Sequence, residues 1–436
     1  MKRFFTLCMA LLFAGSAFAQ EVKQEEEKKG PEFKYSINSV VYGLQGSQGD
    51  VNWDYSNIRL RPTFSLAMGD IKAVMQFEID QWFGKDAKKL DGSATTSADP
   101  GTDEKVVEVK HAYLEGKNVI IPNLTVSAGL NGYKFPWVVD NDFAMGNITY
   151  NFGMGKVSLI DLKVQENESV NQTYNETTGV KTKQNNDVDA YIIDLPIKLD
   201  AFKVRPMGMM IKSGKENTSY AEASLLNLAL NASADFGIVA LDATYANLSG
   251  TLDKDAATGV KTKASGYAMD VAVDVKPMDM LKIGAYFTMT SGDDKATDDK
   301  EQGYMGIMHT LLGQAWMGRT YLIEEATTLS NSDTSFKMAY KDHGLTIYGI
   351  NANVNVDKLK LFAQYAMISG TKKNLTTGKK KIGSEIDALI SYEFTPKAEI
   401  FVELAYLMAG DKMEVGFYDQ KAEDVYQIGY GMKAKF

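Results

Sequence analysis

The residue types that most often carry enzyme chemistry are scarce in this sequence of 436 residues. Its three histidines, His111, His309 and His343, lie far apart, and none has a partner at the spacing of a metal site or a catalytic triad. The single cysteine, Cys8, falls within the first twenty residues. The sequence contains neither a nucleophile elbow nor a phosphate-binding loop. This inventory predicts a protein that is not an enzyme and that needs no cofactor.

Cationic side chains are the more informative polar residues, because arginine can bind a carboxylate or phosphate through two parallel hydrogen bonds. Three of the arginines, together with several lysines, lie in stretches where polar and apolar residues alternate. In such stretches the basic residues share one face, opposite apolar residues such as Ile58 and Leu60. The predicted basic set consists of Lys34, Arg59, Arg61, Lys72, Lys203, Arg205, Lys433 and Lys435.

Carboxylates occupy the equivalent face of other alternating stretches. The predicted acidic set consists of Asp270, Asp274, Glu385, Asp387, Glu399 and Glu403. If the two sets face each other across a water-filled space, they create a transverse field that favours charged and polar solutes. Alternatively, these charges pair with one another and simply keep the space wet. The sequence leaves both interpretations open.

The elements that must position these residues are β-strands. Between Val425 and Phe436, apolar side chains such as Tyr430 and Met432 alternate with glycine, glutamine and lysine, as expected for a strand with two unlike faces. Similar stretches recur from residue 33 onward, and no run of about 20 apolar residues follows the first twenty, which excludes a spanning helix. Many polar faces carry charges that a dry core could not accept. A closed barrel in lipid with a wet lumen accepts both faces.

We therefore predict an all-β fold over residues 33–436, a transmembrane antiparallel up-and-down β-barrel. Short connections such as Met68-Gly69-Asp70 alternate along the chain with long polar ones such as residues 165–187 and 291–344. Short periplasmic turns and long extracellular loops are typical of such barrels. The count is about 18 strands, with 16 possible, and a barrel of this size encloses an aqueous channel.

The start of the sequence has the pattern of an export signal. Lys2 and Arg3 precede an apolar stretch, and Ala17-Phe18-Ala19 forms a small-x-small cleavage pattern, so residues 1–19 are predicted to be a signal peptide. Residues 20–32 are charged and are expected to form a disordered tail. The formal net charge of −9, without a basic stripe, argues against nucleic-acid binding.

Two of the predicted loops contain candidate sites. The aromatic stretch around Trp137, Asp140 and Asp142 either folds inward as a constriction or forms an aromatic girdle at the lipid boundary.

The longest loop begins with an acidic stretch whose carboxylates are Asp293, Asp294, Asp298 and Asp299. Clustered oxygen ligands of this kind can hold Ca²⁺, and the alternative is a solvated acidic loop. The apolar part of the same loop, residues 304–321, is predicted to narrow or plug the lumen.

The stretch from Tyr430 through Met432 to Phe436 resembles the last strand by which Gram-negative outer-membrane barrels are recognised for assembly. The aromatic loop resembles the loop after the fifth strand of several substrate-selective porins. The motif Ser291-Gly292-Asp293-Asp294 is similar to one in the alginate-export group, which are eighteen-stranded barrels that carry acidic polysaccharide.

These resemblances imply a porin in a Gram-negative outer membrane that allows passive diffusion of small hydrophilic solutes. The alternative within this class is a selective porin or exporter for anionic sugars or oligosaccharides, while a barrel enzyme or an adhesin is less favoured. The implied partners are outer-membrane lipid, lipopolysaccharide, the barrel-assembly machinery and the transported solutes. A monomer and a homotrimer are both compatible with the sequence.

Overall fold

A computed structural model describes most of the chain. The described residues are 30–49, 51–85, 106–165, 173–174, 181–182, 187–213, 222–253, 261–293, 299–312, 318–323, 343–373, 380–410 and 423–436. The predicted signal peptide, residues 1–19, lies outside them, as do residues 20–29 of the predicted tail.

Eighteen strands build one continuous wall. They are β1 (Glu32–Gln48), β2 (Val51–Met68), β3 (Ile71–Lys85), β4 (Val106–Lys117), β5 (Leu124–Phe135), β6 (Val139–Asn151), β7 (Lys156–Gln165), β8 (Val188–Asp194, continued by Ile197–Leu199), β9 (Phe202–Ser213), β10 (Glu222–Asp235), β11 (Val239–Asp253), β12 (Lys261–Met278), β13 (Leu281–Thr290), β14 (Leu345–Val356), β15 (Leu359–Gly370), β16 (Lys381–Thr395), β17 (Ala398–Ala409) and β18 (Val425–Lys435).

Each strand pairs antiparallel with the next along the chain, and β18 pairs with β1 to close the sheet. At this seam Asn38 lies opposite Lys435, and Gln48 lies opposite Val425. Closure removes the free edges that an open sheet would expose. The predicted eighteen-stranded antiparallel barrel is thus confirmed.

The two faces of the wall differ as the alternation predicts, because successive side chains of a strand point to opposite sides. Outward side chains are large, apolar and exposed, as with Ile350 at 61% and Leu228 at 53% exposure. Lumen-facing neighbours include polar and small side chains such as Asn227 and Ala229, which are buried, together with apolar ones such as Leu225 that pack inside the barrel.

Connections at one end of the barrel are all short, whereas most of those at the other end are long. Two connections depart from the predicted alternation. At the long-loop end, β1 and β2 are separated only by residues 49–50, and β5 and β6 only by residues 136–138. The connection from β11 to β12 at the same end is also fairly short, since β11 continues to Asp253 and β12 begins at Lys261.

One helix, α1 (Tyr304–Leu312), occurs among the described residues, within the connection from β13 to β14. A two-residue strand, Lys300–Glu301, precedes it and pairs with β12. No helix in the described part of the chain is long and apolar enough to cross a membrane.

Candidate functional site: the lumen and the two segments that enter it

The hairpin formed by β5 and β6 leaves the wall before it ends. Pairing of β5 with β4 stops at Leu130, and pairing of β6 with β7 stops at Ala144. The two strands stay paired with each other as far as Phe135 and Val139. Residues 131–143, the lumen hairpin, are therefore a two-stranded ribbon detached from both neighbours.

Two backbone features shape the lumen hairpin. Gly129 has a φ of +135°, and a Cβ at this position would lie 2.7 Å from the Cα of Tyr113, so glycine is required where β5 departs. At the tip, the amide of Val138 donates to the carbonyl of Phe135 at 3.0 Å, and Trp137 has a φ of +62°. Glycine usually occupies this turn position, and such strain costs about 1–3 kcal/mol. Complete burial of the Trp137 indole offsets this cost.

One flank of the lumen hairpin contacts β4. A bulge in the β3–β4 pairing leaves an extra residue on β4, which turns both Lys110 and His111 toward the lumen. Lys110 Nζ lies 3.1 Å from one carboxylate oxygen of Asp142, and His111 Nε2 lies 3.3 Å from the other. These contacts tie the hairpin to the wall through side chains that are partly exposed.

The opposite flank contacts β8 and β9. Arg205 of β9 donates to Asp194 of β8 at 2.7 Å and 2.9 Å, and its second contact is the carbonyl of Lys134 at 3.1 Å. Its guanidinium also lies over the ring of Phe135, 4.7 Å from the centroid. The hydroxyl of Tyr133 donates to Asp194 at 3.2 Å. The hairpin therefore lies inside the barrel, bridging lumen-facing residues of distant strands.

The position of Trp137 bears on the two interpretations of this aromatic loop. The indole is 0% exposed inside the barrel, so it does not belong to an aromatic girdle at the outer boundary. Asp142 contacts the β4 wall, whereas Asp140 pairs across the hairpin with Lys134 at 2.5 Å.

A pocket of about 510 Å³ separates the lumen hairpin from β2, β3 and β4. Arg59 donates to Asp80 at 3.0 Å, and Arg61 pairs with Glu78. The side chains that line this pocket include Arg59, Arg61, Gln76, Glu78, Lys110, His111, Tyr133, Lys134, Asp140 and Asp142. Cations and carboxylates alternate around it, so it can hold polar solutes and ordered water.

A second segment enters the lumen from the connection between β13 and β14. Tyr304, Met308 and Leu312 of α1 are at most 1% exposed. The side-chain amide of Asn227 on β10 donates to the hydroxyl of Tyr304 at 2.9 Å. Burial raises the pKa of the Tyr304 hydroxyl, which therefore stays protonated. The helix fills part of the lumen with apolar side chains.

Residues 318–323, the lumen strap, follow in the same connection and attach to the wall through their backbone. The amides of Leu322 and Ile323 donate to the two carboxylate oxygens of Glu385 at 2.6 Å and 3.3 Å. The amide of Tyr321 donates to Asp387 at 3.2 Å. Burial, followed by the nearby carboxylates, raises the pKa of the Tyr321 hydroxyl.

Arg319 anchors the other end of the lumen strap. Its guanidinium pairs with Asp270, which is fully buried, and lies 5.3 Å from the ring centroid of Tyr286. The side-chain amide of Gln364 donates to the backbone carbonyl of Arg319 at 2.8 Å. The strap is thus fastened to β12, β15 and β16 together.

These contacts bear on the two interpretations of the acidic set. All six carboxylates lie on the lumen face, but Asp270, Glu385 and Asp387 bind the lumen strap rather than facing open water. Asp274 pairs with Lys282 at 3.1 Å, and Glu399 lies 3.7 Å from Lys433. Glu403 is 3% exposed.

The residues of the basic set do not form a single positive sector of the wall. The register places its eight members on the lumen face and sets Lys433 and Lys435 in the rows of Arg59 and Arg61 across the seam. Carboxylates interrupt these rows, however. Lys34 pairs with Glu32 at 2.9 Å, and Lys72 lies opposite Glu115. Opposite charges alternate within each sector instead of occupying facing walls.

A more strongly basic pocket, not foreseen in full from the sequence, lies at the short-turn end. Lys156, Lys198, Lys203 and Arg205 line it with Asn231, and no carboxylate occurs among the described residues of its lining. Lys156 is the first residue of β7, and Lys198 lies in the three-residue segment Ile197–Leu199. At these positions too few residues alternate for the sequence to show which side chains face the lumen. The feature of the sequence that could have indicated this pocket is the placement of Lys198 and Lys203 at matching distances from a short turn, which makes them cross-strand neighbours.

The remaining predicted sites stay predictions. Asp294 and Asp298 lie outside the described residues; Asp293 accepts the amide of Gln302 at 3.0 Å, and Asp299 begins the next described stretch. The described residues contain no cluster of three or more metal-binding side chains. Tyr430, Met432 and Phe436 face outward and are exposed.

Comparisons with known proteins find matches to the fold of this chain but not to its sequence. No protein-family model matches the chain, and no curated relative does. Solved structures match over nearly the whole barrel. OccAB1 of Acinetobacter baumannii superposes with a TM-score of 0.60 over 95% of this chain and 100% of its own, at 11% identity. OccK9 (OpdG) of Pseudomonas aeruginosa gives a TM-score of 0.59 over 93% and 98%, at 10% identity.

The structure of OpdK from Pseudomonas aeruginosa with vanillate gives a TM-score of 0.56 over 92% of this chain and 98% of its own, at 9% identity. At these identities the likeness establishes the fold alone, a closed antiparallel barrel of eighteen strands.

Proposed function

We propose that this chain is an outer-membrane porin of a Gram-negative bacterium, through which small hydrophilic solutes diffuse passively. The observation that carries the proposal is the pocket between the lumen hairpin and β2–β4, where charged side chains line water-accessible space inside a closed barrel. The short-turn end would face the periplasm and the long-loop end the exterior. Lipid and lipopolysaccharide would contact the outward face, and Phe436 would serve recognition by the assembly machinery.

Single-channel recording in planar bilayers tests this proposal. The full chain, expressed and purified from outer membranes, should give discrete conductance steps, and liposomes that contain it should swell in solutions of small sugars. Heat-modifiable mobility in gels reports separately whether the barrel is intact, with boiled protein as the control. An intact barrel without conductance or swelling would contradict the porin proposal and would favour an adhesin or surface anchor.

A second candidate is a selective channel or exporter for anionic sugars or oligosaccharides, including an alginate-export type. The basic pocket at the short-turn end favours it, because Lys156, Lys198 and Lys203 lie together without a described carboxylate in the lining. Such a pocket attracts anions, and Arg205 can bind carboxylate or phosphate through two hydrogen bonds.

The reversal potential in a salt gradient distinguishes the two candidates. A channel that selects anions should lose preference for them in Lys198→Gln/Lys203→Gln. The matched control is Lys360→Gln, because Lys360 also faces the lumen but lies near Glu393 and Glu399. If the reversal potential of the double variant equals that of the control, the anion-selective candidate is wrong and general diffusion remains.

A further inference from the structure

Three lysines at the short-turn end of the lumen lack a carboxylate partner among the described residues. Lys156, Lys198 and Lys203 are exposed, and their side chains form no salt bridge or hydrogen bond with another described residue. Other lumen lysines are paired, as Lys282 is with Asp274 at 3.1 Å. The described wall therefore leaves this group of positive charges without direct neutralisation.

Backbone contacts hold the three lysines close to one another. The amide of Lys156 donates to the carbonyl of Pro196 at 3.1 Å, and the amide of Lys198 donates to the carbonyl of Met154 at 2.8 Å. Lys198 is also the cross-strand neighbour of Lys203. Like charges directly opposite each other destabilise a sheet. The fold thus fixes an arrangement that a bound anion would stabilise.

The turn from β6 to β7 closes one side of the pocket. Gly155 in this turn forms a β-bridge with Ile197, and a Cβ on Gly155 would lie 2.6 Å from the carbonyl oxygen of Pro196. Glycine is required for this approach, because any other side chain would collide with the backbone of β8. The start of β7 and the end of β8 therefore meet only because residue 155 has no side chain.

Two carboxylates near the pocket do not neutralise its lysines. Asp194 accepts hydrogen bonds from Arg205 at 2.7 Å and 2.9 Å. Asp242 lies opposite Ser233, one strand beyond Lys203. The three ammonium groups consequently remain available to a solute.

Neutral polar side chains complete the lining. Asn151 is the cross-strand neighbour of Lys156, and Ser233 is that of Lys203. Their amide and hydroxyl groups can donate to the oxygens of an anion and can bind the hydroxyls of a polar solute. The pocket has a volume of about 420 Å³, within the range of about 300–1,000 Å³ that is usual for sites of small molecules.

We infer that this phosphate pocket, defined by Asn151, Lys156, Lys198, Lys203 and Ser233, binds the phosphate group of small phosphorylated solutes such as sugar phosphates. A phosphate monoester carries a charge of about −1.5 to −2 at neutral pH and presents three acceptor oxygens. Lysine binds phosphate as a point charge, and three lysines match a doubly charged tetrahedral group better than a singly charged planar carboxylate. The inference rests on the proposed function and names the solute class of its anion-selective candidate.

Calorimetric titration of the purified protein tests the pocket without relying on conductance. Glucose 6-phosphate should bind saturably at low ionic strength, whereas glucose should not bind. Glucuronate should bind about tenfold more weakly than glucose 6-phosphate, because it carries about half the charge. Equal affinity for glucose 6-phosphate and glucuronate, or no measurable binding of glucose 6-phosphate, would overturn the inference.

Variants of the lysines locate the binding. Lys198→Gln/Lys203→Gln should weaken the binding of glucose 6-phosphate by about ten- to hundredfold, since two charge-assisted contacts are lost. Lys198→Arg/Lys203→Arg retains both charges and should keep most of the affinity, and Lys360→Gln, the matched control, should bind as the wild type does. Heat-modifiable mobility shows whether each variant is folded. If the glutamine pair binds as tightly as the control, the inference is wrong.

Recording in planar bilayers separates the pocket from the porin proposal. Glucose 6-phosphate should interrupt the current through the wild type at lower concentrations than through Lys198→Gln/Lys203→Gln. Saturable binding of glucose 6-phosphate to a barrel that does not conduct would support the pocket and contradict the porin. A conducting barrel that does not bind glucose 6-phosphate would overturn the pocket alone.

Discussion

The lumen hairpin enters the barrel as a continuation of two wall strands, whereas the lumen strap belongs to a long connection outside the sheet. The hairpin keeps its own ladder of backbone hydrogen bonds and is held by side chains, Asp142 on one flank and Tyr133 on the other. The strap has no strand partner of its own, and its amides donate directly to Glu385 and Asp387.

This difference separates two ways of narrowing a channel. A segment held through its backbone depends on carboxylates of the wall, so most of its own side chains can vary without releasing it; in the strap the exception is Arg319, whose side chain pairs with Asp270. A segment held through side chains can be loosened by a single substitution in either partner. Because buried ionic contacts cost more to break than exposed ones, the strap should respond more strongly to substitution than the hairpin.

The largest effect is expected for Arg319→Met. It removes the partner of the fully buried Asp270, and leaving one member of a buried ion pair alone costs about 3–5 kcal/mol. The strap should detach and single-channel conductance should rise. Arg319→Met/Asp270→Asn should recover part of the lost stability, measured by thermal unfolding of the purified barrel. Unchanged conductance in Arg319→Met would show that the strap does not narrow the channel.

Glu385→Gln is expected to have the next largest effect. The amide keeps the shape of the carboxylate but replaces one of the two oxygens that accept the amides of Leu322 and Ile323. A buried amide donor that loses its acceptor costs about 1–3 kcal/mol. Protease cleavage within the connection 291–344 should accelerate and conductance should rise. Glu393→Gln, a change in a partly exposed lumen carboxylate, is the control and should leave cleavage unchanged.

Arg205→Met should loosen the lumen hairpin by a smaller amount. It removes a partly exposed pair with Asp194 and the contact with the carbonyl of Lys134, which together should contribute about 1–2 kcal/mol, between exposed and buried pairs. The methionine retains the contact with Phe135. Conductance noise should increase more than mean conductance. A rise as large as that in Arg319→Met would contradict the proposed ranking.

The smallest effect is expected for Asp142→Asn. Its pairs with Lys110 and His111 are partly exposed, and such pairs contribute about 0–1 kcal/mol. Thermal stability should stay close to that of the wild type. Removal of one negative charge beside the pocket should move the reversal potential toward anions. Asp140→Asn, at the exposed hairpin pair with Lys134, should shift it less.

Part of the candidate site can be located in the sequence by counting from a turn. The turn at Gly69 and Asp70 sets the β2–β3 register, and this register places Arg59 opposite Asp80. Glu78 likewise falls beside Arg61. Because pairing within one hairpin follows from local geometry, the order of residues is enough to indicate the charge balance of this sector.

No local pattern in the sequence indicates the contacts between distant strands. Nothing in the order of residues relates Arg205 to Lys134, or Arg319 to Asp270, because these pairs form only when the sheet has closed. The lumen hairpin is a clear case. Its alternation is typical of a strand, and alternation identifies the two faces of a strand without saying whether that strand stays in the wall.

The sequence by itself determined the antiparallel barrel and which wall side chains face the lumen, because a period of two residues is a local property of the backbone. It left the strand number at about 18, with 16 possible, and the structure shows eighteen. The tertiary structure alone decided what the lumen contains. The inward hairpin, the strap on Glu385 and the basic pocket around Lys198 each require groups far apart in the chain to meet. These contacts depend on the closure and shape of the whole barrel.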